Sequence, residues 1–482
     1  MKNTYTKSLI FCLILIGGFL SLSAQESTTL YFMKGMPQSD LMNPALHNDS
    51  SAVVIGLPGL AGTYFDFNSD FAINDLIHKG TGARADSLIV DIDKFHNALK
   101  PRNSVQQNFN IPLFYLGIRV KKSFFSFGIT EKEMSRFSFD KNLITFIIEG
   151  NGSHMNENFD LGTIGFDAFQ YREYAFGYSN ELIKNKLTVG AKVKALYGKS
   201  AVQTNKMNLS VETAADGSYL NLSSDMNINI SAPVKVEYDQ DNYFSGMNAD
   251  DVEVKDYMLQ KGNTGIAFDL GAVYKLTPKI TLTGSVIDLG KITYKSDVIT
   301  LNHVSTYKWE GIDFSNSIDE SKPDYVDPSD LMDDELKKIE NSFKPKKSEF
   351  GSEAFDMNLP MKIYLGGTYQ LSKNFNVGLL DRMYKHGNIS ENTVTLSANA
   401  MLGRFLSLTG SYSMIDKSTN NLGFGMAFRL GFMQWYLVSD NLMALNDPSK
   451  AEFVNLRFGM NILFGRKHKP KVKKVTETST IQ

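Results

Sequence analysis

Val454-Asn455-Leu456-Arg457-Phe458-Gly459-Met460-Asn461-Ile462-Leu463-Phe464 is the stretch that decides the fold. Val454, Leu456, Phe458, Met460, Ile462 and Phe464 fall on one face, and Asn455, Arg457, Gly459 and Asn461 fall on the other. Side chains of a strand point alternately to its two sides, so this is one apolar and one polar surface. A membrane barrel strand has that pattern, apolar toward lipid and polar toward the lumen. A soluble sandwich also alternates, so repetition along the chain and loop lengths must separate the two.

The pattern repeats. Leu187, Val189, Ala191, Val193, Ala195 and Tyr197 alternate with Thr188, Gly190, Lys192 and Lys194, and Ile266, Phe268, Leu270, Ala272 and Tyr274 with Gly265, Asp269 and Gly271. Val394, Leu396, Ala398 and Ala400 oppose Thr393, Thr395, Ser397 and Asn399, while Leu422, Phe424, Met426 and Phe428 oppose Gly423, Gly425 and Arg429. Strands are expected near 60–71, 108–120, 123–139, 165–179, 186–199, 264–276, 280–294, 359–371, 375–384, 392–402, 405–415, 421–430, 432–439 and 453–464, fourteen in all. Tight connections at Lys121-Lys122, Asn180 to Asn185, Thr277-Pro278, Ser372 to Asn374, Gly403-Arg404 and Gly431 each precede a longer one, the longest being 140–164, 200–263 and 295–358. Short periplasmic turns and long extracellular loops are the asymmetry of bacterial barrels, and an even strand number puts both termini on the periplasmic side.

The N-terminus reads as a cleavable secretory signal over residues 1–24: Lys2 and Lys7, an apolar stretch from Leu9 to Leu20, then Ser21-Leu22-Ser23-Ala24. Cys12, the single cysteine, lies within it and follows Phe11 rather than a small residue, so neither a lipid anchor nor a disulfide is expected. Beyond the signal no run of about 18 apolar residues could span a membrane as a helix. A closed barrel is then the remaining way to satisfy every backbone group in lipid. Without the two signal lysines, 48 basic residues face 52 acidic ones, which gives no reason to expect a nucleic-acid partner. The 33 Phe and 21 Tyr against 2 Trp suit membrane girdles.

Ser329 is expected to cap a helix in which Leu336, Ile339 and Phe343 recur before Pro345 ends it, with a weaker helix over 249–260. Asp140 to Glu149 reads as a helix tucked into the barrel mouth. The strands at 123–139 and 165–179 exceed the 9–11 residues a bilayer requires and should project beyond it. The 206–236 region is expected to pair in the same way above the surface.

Several stretches together resemble FadL-like outer-membrane barrels of Bacteroidota, in particular a family carrying a domain of unknown function, and more distantly PorV, a barrel accessory to protein secretion. They are Met42-Asn43-Pro44-Ala45-Leu46, Asp140 to Leu143 with Glu149 to Gly152, Lys186 to Lys192, Asp269 to Tyr274 with Asp288-Leu289-Gly290, and Leu359 to Gly367. The resemblance implies an all-β, 14-stranded antiparallel transmembrane β-barrel whose N-terminal segment plugs the lumen, with short helices in the extracellular loops. It carries no established activity. FadL-type transporters pass hydrophobic molecules, but their ligand-binding residues have no matching motif in this sequence. The expected division is therefore a plug segment over 25–58, a barrel over 59–465 and a basic periplasmic tail over 466–482.

Asn43-Pro44-Ala45 is a candidate plug turn, since proline fixes its own φ and biases Asn43 toward extended geometry; an ordinary turn leading into the barrel is the alternative. Lys192, Lys194, Asp269, Arg429 and Arg457 take lumen phase, where they would line a path or pair with one another, and the penalty for burying unpaired charge favours pairing. The acidic run Asp330, Asp333, Asp334 and Glu335 lacks the alternating ligands and central glycine of a calcium loop and reads as a solvated helix face. No metal site, cofactor or catalytic motif is expected, and the chain is not read as an enzyme. The expected partners are outer-membrane lipid, a hydrophobic small-molecule ligand, and envelope proteins meeting the long loops or the basic tail.

Overall fold

The computed structural model describes residues 28–47, 51–249, 253–318, 321–387, 389–403, 405–415 and 418–466. The signal and the basic tail beyond Arg466 lie outside these residues. Fourteen strands form the wall: β1 Ser51–Ser69, β2 Arg102–Val120, β3 Ser123–Asp140, β4 Gly165–Ile183, β5 Leu187–Thr213, β6 Asn263–Lys275, β7 Ile280–Tyr294, β8 Met361–Ser372, β9 Phe375–His386, β10 Ile389–Leu402, β11 Leu406–Ile415, β12 Ser418–Leu430, β13 Met433–Ser439 and β14 Phe453–Arg466. Each pairs antiparallel with the next, and β14 returns to β1 with Val53 opposite Phe464 and Asn68 opposite Phe453. The ring is closed, so no wall strand keeps a free edge.

Alternation places Ile266, Phe268 and Leu270 of β6 and Leu422, Met426 and Phe428 of β12 on the exposed outer surface. Their neighbours Ala267, Asp269, Asn421 and Ala427 are buried inside. Six tight turns gather at one end of the barrel, here the turn end. Four of them turn on a left-handed residue, Lys121, Asn185, Gly403 and Gly431, at φ 56°, 56°, 64° and 60°. Such residues match the twist of the flanking strands.

Four departures from the sequence reading have physical causes. Strand β1 starts at Ser51, ahead of the expected boundary at 58/59, because Gly56, Pro58, Gly59 and Gly62 break the alternation without ending the strand. At the β9–β10 and β11–β12 connections the backbone ladder continues beyond the expected strand ends, with Lys385 opposite Ser390 and Ile415 opposite Ser418. The helix Lys141–Glu149 lies beside the loop helix Ile92–Ala98, with Thr145 Oγ1 2.8 Å from His96 Nε2 and with Ile147 and Ile148 exposed, rather than tucked into the mouth. The helix Pro328–Ser342 is capped by Asp327, whose side chain accepts from the Ser329 N–H, and not by Ser329 itself.

The opposite end is tall on one side. Strand β5 runs for 27 residues, and its upper half pairs with Leu220–Ser231, which in turn pairs with Val298–Trp309. The helix Pro328–Ser342 lies against this extension through Tyr307 Oη, 2.5 Å from Glu335 Oε1.

Candidate functional site

Residues 28–47 lie inside the barrel. The backbone N–H groups of Thr28 and Thr29 donate to Asp440 at 3.0 and 2.8 Å. From there the segment reaches the turn end, where the Lys34 carbonyl accepts from Ser407 and the Gly35 carbonyl from Gln434, and crosses toward β5–β7. Gln38 Nε2 donates to Asn461 Oδ1 at 2.7 Å and to the Ala61 carbonyl at 3.2 Å. A buried amide without partners would be unfavourable, so these bonds fix the path of the segment.

Asn43 is fully buried. Its Nδ2 faces Thr283 Oγ1 at 2.8 Å and Tyr31 Oη at 3.0 Å, and its Oδ1 accepts from the Ala45 N–H at 2.9 Å. Two wall glycines make room for it. Gly190 and Gly271 face each other across β5 and β6. A Cβ on Gly271 would fall 2.1 Å from Asn43 Oδ1, and one on Gly190 would fall 2.5 Å from the Pro44 carbonyl carbon. The Asn43-Pro44-Ala45 turn therefore sits on a depression in the wall that only glycine leaves open.

A layer of paired charge crosses the lumen above this turn. Lys194 Nζ lies 2.8 Å from Asp269, 2.5 Å from Asp288 and 3.6 Å from Glu173. Lys132 reaches Glu173 at 2.7 Å, Lys362 reaches Asp288 at 3.1 Å, and Lys192 reaches Asp40 of the inner segment at 3.1 Å. Four lysines thus meet four carboxylates, so each buried charge in the layer has an opposite partner.

Of the five lumen-phase residues read from sequence, Lys194 and Asp269 touch each other and Lys192 joins the same layer. Arg457 is buried apart, its guanidinium 4.2 Å from the Tyr64 ring centre. Arg429 stands at the turn-end rim, where its Nε donates to the Gly431 carbonyl at 3.3 Å. Sequence reasoning missed Asp40, Lys132, Glu173, Asp288 and Lys362. Glu131-Lys132-Glu133 is charged on both faces, which hides its phase, and Asp40 sits in a segment with no period. One signal was present: Asp269 and Asp288 each open an Asp-Leu-Gly triplet.

Between the inner segment and the loop end lies a cavity of about 1350 Å³, open ends included. Gln38 and Leu41 line it toward the turn end, Asp66, Asn68, Asn108 and Asn110 give a polar side, and Met134, Phe169 and Ile287 an apolar one. Beside it the wall is interrupted. On β1, Gly56 pairs with Tyr115 and the next pair to β2 is Tyr64 with Asn110, so seven residues (57–63) face four (111–114). Ala61, Gly62, Pro112 and Phe114, which flank this interruption, also line the cavity. Pro112 has no N–H to lose there. The displaced strand is held inward by Gln38 at the Ala61 carbonyl and by Arg457 Nη1 at the Gly62 carbonyl, 3.4 Å away.

No curated protein matches the chain. Among solved structures it is similar to the Pseudomonas putida toluene transporter TodX, at 9% identity over 92% of this chain and 98% of that one, with a TM-score of 0.38. It is similar also to a Pseudomonas aeruginosa FadL homologue, at 10% identity, 92% and 97% coverage and a TM-score of 0.37. The monoaromatic hydrocarbon channel CymD gives 11% identity, 90% and 94% coverage and a TM-score of 0.40. Likenesses this distant add nothing to the hydrogen-bonded ring itself. The family of unknown function DUF5723 matches residues 44–440, and the chain belongs to that family.

Proposed function

We propose that this barrel resides in an outer membrane, exported by its N-terminal signal, and lets a hydrophobic small molecule pass between the cavity and the surrounding lipid, with the inner segment acting as a plug. The observation that carries the reading is the interruption of β1 beside the cavity. The plug and the charge layer stand between the cavity and the turn end. A molecule with an apolar body would therefore leave sideways, past Ala61, Gly62, Pro112 and Phe114. The apolar outer surface of the strands suits a lipid surround.

The test is removal of Pro58-Gly59-Leu60. This leaves four residues on β1 opposite the four at 111–114, so pairing can close. Cells producing the wild-type barrel should take up a naphthalene-based hydrophobic dye faster than cells without it. The deletion variant, folded by its heat-modifiable mobility, should fall back to the background rate. A wild-type barrel that never exceeds background sinks the proposal.

A second reading, a non-transporting subunit or scaffold of a secretion or assembly complex, is favoured by the sheet and helix standing above the barrel. Val304 there is 72% exposed. Stable co-purification of the same envelope proteins in deletions of 310–327 and in wild type would count against those loops as the contact.

A further inference from the structure

The two ends of the barrel differ in charge. Four tight turns carry Lys121 and Lys122, Lys184 and Lys186, Lys275 and Lys279, and Lys373, all exposed. Over the same segments, residues 119–124, 180–187, 275–280 and 371–375, the single carboxylate is Glu181. The loop end is the reverse: residues 310–356 hold 14 acidic and 6 basic side chains.

The position of these lysines relative to the apolar surface is informative. Leu182 is 61% exposed and Ile183 50%, directly before Lys184; Leu276 and Leu371, also exposed, stand within two residues of Lys275 and Lys373. At about 3.3 Å per residue along a strand, the ammonium groups lie at the border of the apolar belt. Lysine stems lie along apolar surface while the head reaches water. Lys186 Nζ stands 5.6 Å from the ring centre of Tyr274, which shares the outer phase of Ile266 and Leu270, so this cation faces the perimeter and not the lumen.

We propose that the turn end of the barrel is a binding surface for anionic phospholipid headgroups of the leaflet around it. The cations form an arc along β2 to β9, at headgroup depth and beside lipid-facing leucines. A soluble anion would not require that adjacency. The inference rests on the barrel lying in a bilayer and is independent of whether anything passes through it.

The test uses the full chain reconstituted in nanodiscs of mixed phosphatidylcholine and phosphatidylglycerol, then extracted gently, with the retained lipid counted by mass spectrometry. Wild type should retain phosphatidylglycerol over phosphatidylcholine about fivefold above the bulk ratio, the effect of one lysine near an anionic surface. The enrichment should fall as salt is raised. The variant K184Q/K186Q/K275Q/K279Q/K373Q should lose it, and the loop-end variant K79Q/K255Q/K261Q/K322Q/K337Q should keep it. Absence of enrichment in wild type, persistence in the turn variant, or equal loss in both variants overturns the proposal. Should the turn variant fail to fold, the salt series on wild type decides, and enrichment indifferent to salt overturns it.

Discussion

Asn43 donates its side-chain amide to Thr283 Oγ1 at 2.8 Å, across 240 residues of sequence and between the inner segment and the wall. Asn43→Ala removes this bond and the acceptor of the buried Ala45 N–H, while Thr283 and Tyr31 keep each other. The expected loss is about 1–3 kcal/mol. A lower urea midpoint for the heat-modifiable folded form checks it, and an unchanged midpoint would show that the turn contributes nothing to stability.

Gly271→Ala should act on the same turn from the other side. The added Cβ meets Asn43 Oδ1 at 2.1 Å and the Pro44 ring Cδ at 2.9 Å, and the closed ring and the buried bonds of Asn43 limit relief. The segment should be displaced, so a cysteine placed at Leu41 would react faster with a water-soluble maleimide in the G271A background than in wild type. Gly410→Ala, where a Cβ meets nothing within 4 Å, is the matched control and should leave the rate unaltered.

Lys194→Met leaves the buried Asp269 without its cation, while Asp288 keeps Lys362 at 3.1 Å. Breaking one partner out of a buried ion network is expected to destabilise by about 3–5 kcal/mol, more than removing the network. The double variant K194M/D269N should therefore recover part of the loss in urea titrations. A double variant weaker than the single one would contradict the network reading.

Tyr307 and Lys338 bond the Glu335 carboxylate on the loop helix, at 2.5 and 2.9 Å, and hold it below the usual glutamate value near 4.5. A carboxyl depressed in the folded state contributes stability above its unfolded value, and that contribution is lost as pH falls through the folded value. Amide protection factors in Pro328–Ser342, corrected for intrinsic exchange at each pH, should fall below about pH 4.5. In Tyr307→Phe the loss of protection over that range should be smaller, and a loss as large as in wild type would remove Tyr307 from the account.

The wall was legible in the sequence because one face of each strand meets lipid and the other does not. The alternation in 187–197, 266–274 and 453–464 survives in the structure almost residue for residue. Strand β1 was legible only from its second half, because its first half bends inward through three glycines and a proline. The charge layer was half legible. Phase identifies Lys194 and Asp269 as inward, but it cannot say that Lys132, Glu173 and Lys362, drawn from strands far apart in sequence, arrive at the same height. Asp40 had no phase at all. Its partners Lys192 and Tyr115 lie on wall strands far from it in sequence.

The uneven loop end has a consequence for anything arriving from outside. Between β9 and β12 the rim is low, with described strand ends at His386, Ile389, Ile415 and Ser418, while β5 and its added strands rise well above it. The barrel therefore has a doorstep on one side and a tall backstop on the other. Under the proposed function, the low side is the approach left open and the high sheet is the side closed.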